Sequence, residues 1–155
     1  MLRTAKITFA KARKNILFFA FLNAFLFITF MMCVKYFNLL HITGLRTVNY
    51  LILTLLSFVQ IKRLMKIGHG FPTFLEAMCV PFVTGTIAFF LFAVFLFIYS
   101  FIDPFFLSRV VIAVDYLDRL VPSFLVFFEG SGISIIVGLI MMEYADMLAE
   151  KQMKH

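Results

Sequence analysis

The sequence predicts an all-α integral membrane protein with four transmembrane helices and an amphipathic interfacial helix between the third and fourth. Of its 155 residues, 63% are hydrophobic and 14% are charged, whereas soluble globular domains average roughly 45–50% apolar and about 25% charged residues. A small domain must cover most of its surface with polar groups, so this excess cannot be hidden in a buried core. Lipid is therefore the expected solvent, and residues 1–155 are predicted to form a single membrane domain.

Four apolar runs are long enough to be considered as membrane spans. A bilayer core about 30 Å thick requires ~20 apolar residues in a helix. The second run is short and lies between Arg46 and Lys62, so these two side chains are expected to extend towards the membrane surfaces. The predicted spans are approximately 16–34, 47–61, 77–102 and 121–142.

The segment 105–119 is predicted to be the interfacial helix. Phe106, Val110, Val114 and Leu117 recur at helical spacing, and polar residues occupy the positions between them. Such a pattern is typical of a helix that lies in the membrane surface with one apolar face.

The basic residues predict the orientation of the chain. Ten of the fourteen fall before span one, after span two or at the C-terminus, and an even number of spans brings all three segments to one side. Lysine and arginine are enriched on the cytoplasmic side of membrane proteins, so both termini are expected to be cytoplasmic. The net charge of +6 is thus assigned to membrane orientation and anionic headgroups, and no nucleic-acid binding is expected.

Glu129 is the main candidate functional residue because it is the one acid well inside a predicted span. Ionisable residues at such depth are costly and usually face a bundle interior, a cavity or a partner. Arg46 is the candidate cation for Glu129, and Asn49 and Asn23 are candidate hydrogen-bonding groups. Glu129 would then act in a proton or ion relay or contact a ligand. The alternative is a buried polar contact that fixes helix packing or docks another subunit, and this is favoured.

A stripe of small residues follows Glu129 in span four. Gly130, Ser134 and Gly138 recur every four residues, a spacing that lets another helix approach closely. The sequence does not distinguish contact within the bundle from contact with a partner protein.

No pattern in the sequence predicts catalysis, a metal or a cofactor. His41, His69 and His155 are expected on different sides of the membrane or at a terminus, so they do not form a ligand set. The 23 phenylalanines are expected to be mainly lipid-facing, with an apolar cofactor as the weaker alternative. The chain is accordingly predicted to be non-enzymatic, with no catalytic residue, no metal and no cofactor.

The order of features in the second half of the chain resembles a known family. An acid begins span three, Gly85 lies inside it, an Asp-Pro turn ends it, and an amphipathic segment and a glycine-rich span follow. The pattern is similar to small bacterial four-helix membrane proteins grouped as domain-of-unknown-function family 4199, over roughly residues 15–145. The motifs are Phe74-Leu75-Glu76-Ala77 and Tyr99-Ser100-Phe101-Ile102-Asp103-Pro104-Phe105. The resemblance implies a bacterial inner-membrane location, and it transfers no activity or functional residue.

The predicted function is that of an accessory or scaffold subunit in the membrane. Beyond the lipid bilayer, the expected partner is a larger membrane complex or a second copy of the chain, contacted through span four. The alternative is a small oligomeric transporter or channel component that uses Glu129.

Overall fold

Four long helices make up most of the structure. The computed structural model describes residues 9–39, 43–68, 72–103 and 120–153, and no strand occurs among them. The helices are α1 (Phe9–Tyr36), α2 (Thr47–Gly68), α3 (Phe74–Tyr99) and α4 (Leu120–Met153), and a short 3-10 helix (Thr43–Arg46) precedes α2. Each contains a segment long and apolar enough to cross a membrane: Ala12–Tyr36, Thr47–Lys66, Leu75–Tyr99 and Ser123–Lys151. The expected all-helical class with four such helices is therefore confirmed, while the interfacial helix predicted over 105–119 lies outside the described residues.

The observed helix ends differ from the predicted span limits in all four helices, and α1 (Phe9–Tyr36) extends beyond the predicted 16–34 at both ends. Helix α2 continues to Gly68 and α4 to Met153, because lysine and arginine are good helix formers and their charges do not end a helix. The Arg63 guanidinium lies over the Phe18 ring, 4.7 Å from its centroid, which is a favourable place for a cation beside an apolar helix. Helix α3 ends at Tyr99, three residues before the predicted limit at 102.

Local sequence signals define two of these ends. At the end of α1, Asn38 has a φ of 55°, and the Asn38 and Leu39 amides donate to Lys35 and Val34, which is the Schellman arrangement. At the start of α3, Thr73 and Glu76 form a capping box, in which each side chain accepts a hydrogen bond from the other residue's backbone amide. These caps position Lys35 in the last turn of α1 and fix where α3 begins.

The helices are arranged around the bundle in the order α1, α2, α4, α3. Helix α3 packs most extensively against α4 and also against α1, while α2 packs against α1 and α4. Helices α2 and α3, although consecutive in sequence, make few contacts and lie diagonally opposite each other, as do α1 and α4 among the described residues. The bundle therefore consists of two sequence-local hairpins, α1–α2 and α3–α4, packed side by side.

Within the described residues, the core is aromatic and aliphatic and contains the buried polar pair Gln60–Thr84. Phe27 and Phe89 are fully or almost fully buried, and their ring centroids lie 4.8 Å apart. Gln60 and Thr84 are both 0% exposed, and the Gln60 amide donates to the Thr84 hydroxyl over 2.7 Å. Because an unpaired amide would be costly in an apolar interior, this contact fixes α2 against α3 across the diagonal of the bundle.

Candidate functional site

The small-residue stripe of α4 is packed on α3 inside the bundle. A Cβ atom added at Gly138 would lie 2.7 Å from the backbone oxygen of Met78, and one added at Gly130 would lie 2.1 Å from the Phe89 ring. Ser134 is fully buried and faces Gly85, where an added Cβ would lie 2.2 Å from the Ser134 Oγ. The stripe therefore serves close packing within the chain. Of the two possibilities that the sequence left open, the structure shows contact within the bundle.

Glu129 is exposed on the outside of the bundle and is not buried among the helices of this chain, while its expected contact with another subunit stays a prediction. It follows Ser123, the start of the candidate span in α4, by six residues, which places it about 9 Å along the span. The Tyr50 hydroxyl of α2 donates a hydrogen bond to its Oε1 atom. The carboxyl group therefore stands at the seam between α2 and α4, where it is accessible from outside the bundle.

The other predicted polar candidates lie at separate places in the bundle. Asn23 is 1% exposed, and its amide donates to the Phe19 carbonyl on the same helix over 2.9 Å. Asn49 is also buried and precedes Tyr50 in the first turn of α2. No hydrogen bond joins either asparagine to Glu129 in the described part of the chain. The backbone of Arg46 ends the 3-10 helix, and its side chain lies outside the described residues.

Glu129 belongs to an exposed surface of α4 with an unusual notch. We define the α4 outer face as Leu125, Glu129, Gly132 and Ile136, all of which are exposed and follow one another at helical spacing. A Cβ atom added at Gly132 would meet nothing within 4 Å. Unlike the buried glycines, Gly132 therefore leaves an open depression beside the Glu129 carboxyl group.

Tyr50 and the Gln60–Thr84 pair are contacts that the sequence analysis missed. Tyr50 lies in the first turn of α2, at the end of the bundle where α4 begins, so its position along the span could have suggested it as a partner for Glu129. Gln60 and Thr84 likewise lie at comparable positions along two apolar runs that are consecutive in the sequence. In both cases the signal was a polar side chain inside a span, which is expected to seek a hydrogen-bonding partner.

A second polar cluster lies where α1 and α3 end. Lys35 Nζ forms an ion pair with Asp103 Oδ2 over 3.0 Å, and both side chains are 30% exposed. Lys35 also donates to the Tyr99 hydroxyl and lies over the Tyr99 ring, 4.6 Å from its centroid. An open cavity of about 530 Å³ adjoins this cluster and is lined mainly by apolar and aromatic side chains. Lys35 directly follows the first predicted span and Asp103 directly follows the third, but their sequence positions alone do not pair them.

Neither polar site resembles a metal centre, since the described residues contain no group of three or more histidine, cysteine, aspartate or glutamate side chains placed to hold an ion. Comparison with protein-family models, curated proteins and solved structures finds no match for this chain. The resemblance to family 4199 thus stays a prediction. The helices define the class on their own: the described part of the chain is all-helical with four candidate spans, as in multi-pass membrane proteins.

Proposed function

We propose that this chain is a non-enzymatic membrane subunit that docks against a second helical membrane protein through the α4 outer face. The observation that carries the proposal is the exposure of Glu129 on a candidate span. An acid facing hydrocarbon is costly, whereas the same acid facing a partner's cation or hydrogen-bond donor is stabilised. The exposed notch at Gly132 supports the same surface, because small residues let a neighbouring helix approach closely.

The distribution of charge supports a cytoplasmic placement of one end of the bundle. Basic residues gather where α1 begins and where α2 and α4 end, whereas Lys35 lies at the opposite end beside Asp103. We assign the basic end to the cytoplasm by the positive-inside rule, in keeping with a subunit of the bacterial inner membrane. The exposed basic residues at this end are Arg13, Lys14, Lys62, Arg63, Lys66 and Lys151.

Photo-crosslinking in the native membrane tests the docking surface. A photoreactive amino acid replaces Ile136 on the α4 outer face, or Phe21 on α1, which is 60% exposed on the diagonally opposite helix. We expect a discrete protein adduct from position 136 and none from position 21. An adduct of twice the 17.9 kDa mass would identify a second copy, and a larger adduct would identify another protein.

The dependence of this adduct on Glu129 separates specific docking from chance collision. With the probe at position 136, Glu129→Leu is expected to reduce the adduct about fivefold, the effect of losing about 1 kcal/mol of interhelical polar contact. The matched variant Glu143→Leu alters an exposed acid of the same helix and is expected to leave the adduct unchanged. An absence of adduct from position 136 would refute the proposal. So would equal yields of adduct from the Glu129→Leu and Glu143→Leu variants.

A small oligomeric transporter is the second candidate, favoured by the Tyr50–Glu129 hydrogen bond. In an oligomer, the exposed carboxyl group would line an interface between copies and could bind and release a proton there. Proton flux into proteoliposomes is expected to fall to the level of empty liposomes with Glu129→Gln, because the amide cannot titrate. The exposed Glu143→Gln variant should retain the flux. If the unaltered protein carries no more flux than empty liposomes, this candidate is excluded.

A further inference from the structure

We propose that the open cavity between the ends of α1 and α3 binds a zwitterionic phospholipid of the phosphatidylethanolamine class. In this site Lys35, which lines the cavity, faces the phosphate of the headgroup. Asp103, its ion-pair partner at 3.0 Å, faces the ammonium group. The site is separate from the α4 outer face and does not depend on the proposed docking function.

The walls of the cavity suit an amphiphilic ligand. Met32 and Phe37 are exposed on α1 and the turn that follows it, and they line the cavity together with Tyr36 and Tyr99. Their apolar surface is continuous with the exterior of a candidate span, where acyl chains are expected. A volume of about 530 Å³ lies within the range of small-molecule sites, roughly 300–1,000 Å³. A headgroup and the first part of its chains would therefore fit.

The charges in the cluster are complementary to a zwitterion. Lys35 and Asp103 place a cation and an anion 3.0 Å apart, and each keeps 30% of its side chain exposed. A phosphoethanolamine headgroup also carries opposite charges a short distance apart, on either side of a two-carbon linker. It can therefore pair with both residues at once, whereas an anionic phosphatidylglycerol headgroup meets one attractive and one repulsive charge.

The helix ends provide an independent reason for an ammonium group in this place. Helices α1 and α3 both finish here, at Tyr36 and Tyr99, and the C-terminal ends of helices carry partial negative charge. The rings of Tyr36, Phe37 and Tyr99 line the same cavity, and aromatic faces attract ammonium groups. The position of Lys35 Nζ over the Tyr99 ring shows that a cation is already held in this way.

Native mass spectrometry of the purified full chain can measure the selectivity. Phosphatidylethanolamine and phosphatidylglycerol with the same acyl chains are added in equal amounts, and the lipid retained after mild activation is counted. We expect the unaltered protein to prefer phosphatidylethanolamine about fivefold. Asp103→Asn should abolish this preference, and Lys35→Gln should lower retention of both lipids. Lys62→Gln, an exposed basic residue at the other end of the bundle, should change nothing.

The charge-exchanged variant Lys35→Asp/Asp103→Lys covers the case in which a single variant fails to fold. It keeps both charges in the cluster, so it should retain the preference for phosphatidylethanolamine. An ion pair that only joins α1 to α3 predicts a different result, namely lower thermal stability in the single variants with the lipid preference unaltered. That result, or equal retention of the two lipids by the unaltered protein, would overturn the proposal.

Discussion

Replacing Gly138 by alanine is expected to lower the free energy of unfolding by about 1–3 kcal/mol, the range of an overpacked core. The added Cβ would lie 2.7 Å from the backbone oxygen of Met78, and a backbone atom inside a helix cannot move aside as a flexible side chain can. The two helices must therefore separate along their most extensive interface. Since the chain has no tryptophan, unfolding is best followed by circular dichroism in detergent mixed with increasing SDS.

Gly132→Ala provides the matched control on the same helix. Nothing lies within 4 Å of a Cβ at that position, so the substitution removes a flexible glycine from a helix without creating a clash. We expect a gain of up to ~1 kcal/mol from helix propensity. If Gly132→Ala and Gly138→Ala change the free energy of unfolding equally, α4 does not pack on α3 through Gly138.

Gly130→Ala is expected to be destabilising in the natural chain and neutral or stabilising in a Phe89→Ala background. An added Cβ would lie 2.1–2.5 Å from three atoms of the Phe89 ring. That ring is held by contacts with Phe27 and Tyr50, at centroid distances of 4.8 and 6.2 Å. It cannot turn away without disturbing the core, so the clash should cost about 1–3 kcal/mol.

A double-mutant cycle isolates this contact. Phe89→Ala alone should cost about 3–5 kcal/mol, because it leaves a cavity in the core. In that background the alanine methyl at position 130 enters space vacated by the ring, so the two effects should couple by about 1–3 kcal/mol. Unfolding of the four proteins under the same detergent conditions supplies the coupling energy. A coupling near zero would contradict the packing of Phe89 on Gly130.

The helices were predictable because their signal is local. Each apolar run is long enough to predict one helix regardless of its neighbours, and the spacing of Gly130, Ser134 and Gly138 alone predicts a face for close packing. Helix ends were less predictable where charges were taken as boundaries. Helix α2 continues past Lys62 to Gly68, since an aliphatic stem lets a charged residue stay helical at a membrane surface.

The neighbours of each face were not predictable, since they depend on how separate helices are arranged. Periodicity places Glu129 and Gly130 on adjacent faces of α4, but it cannot say that Gly130 meets α3 while Glu129 remains outside. The Tyr50–Glu129 and Lys35–Asp103 contacts join residues separated by 79 and 68 positions. Only the order of helices around the bundle brings these partners together.

That order also has a consequence for how the chain assembles. Helices α1 and α2 are neighbours, as are α3 and α4, so each hairpin can close through contacts between adjacent segments as the chain is synthesised. Local contacts of this kind form early because little chain entropy is lost in making them. The α1–α3 and α2–α4 contacts join the two hairpins, and the α2–α4 seam can close only after the last helix is in place. The Tyr50–Glu129 hydrogen bond would then report completion of the bundle, and the α4 outer face would take its final form at the last step of biogenesis.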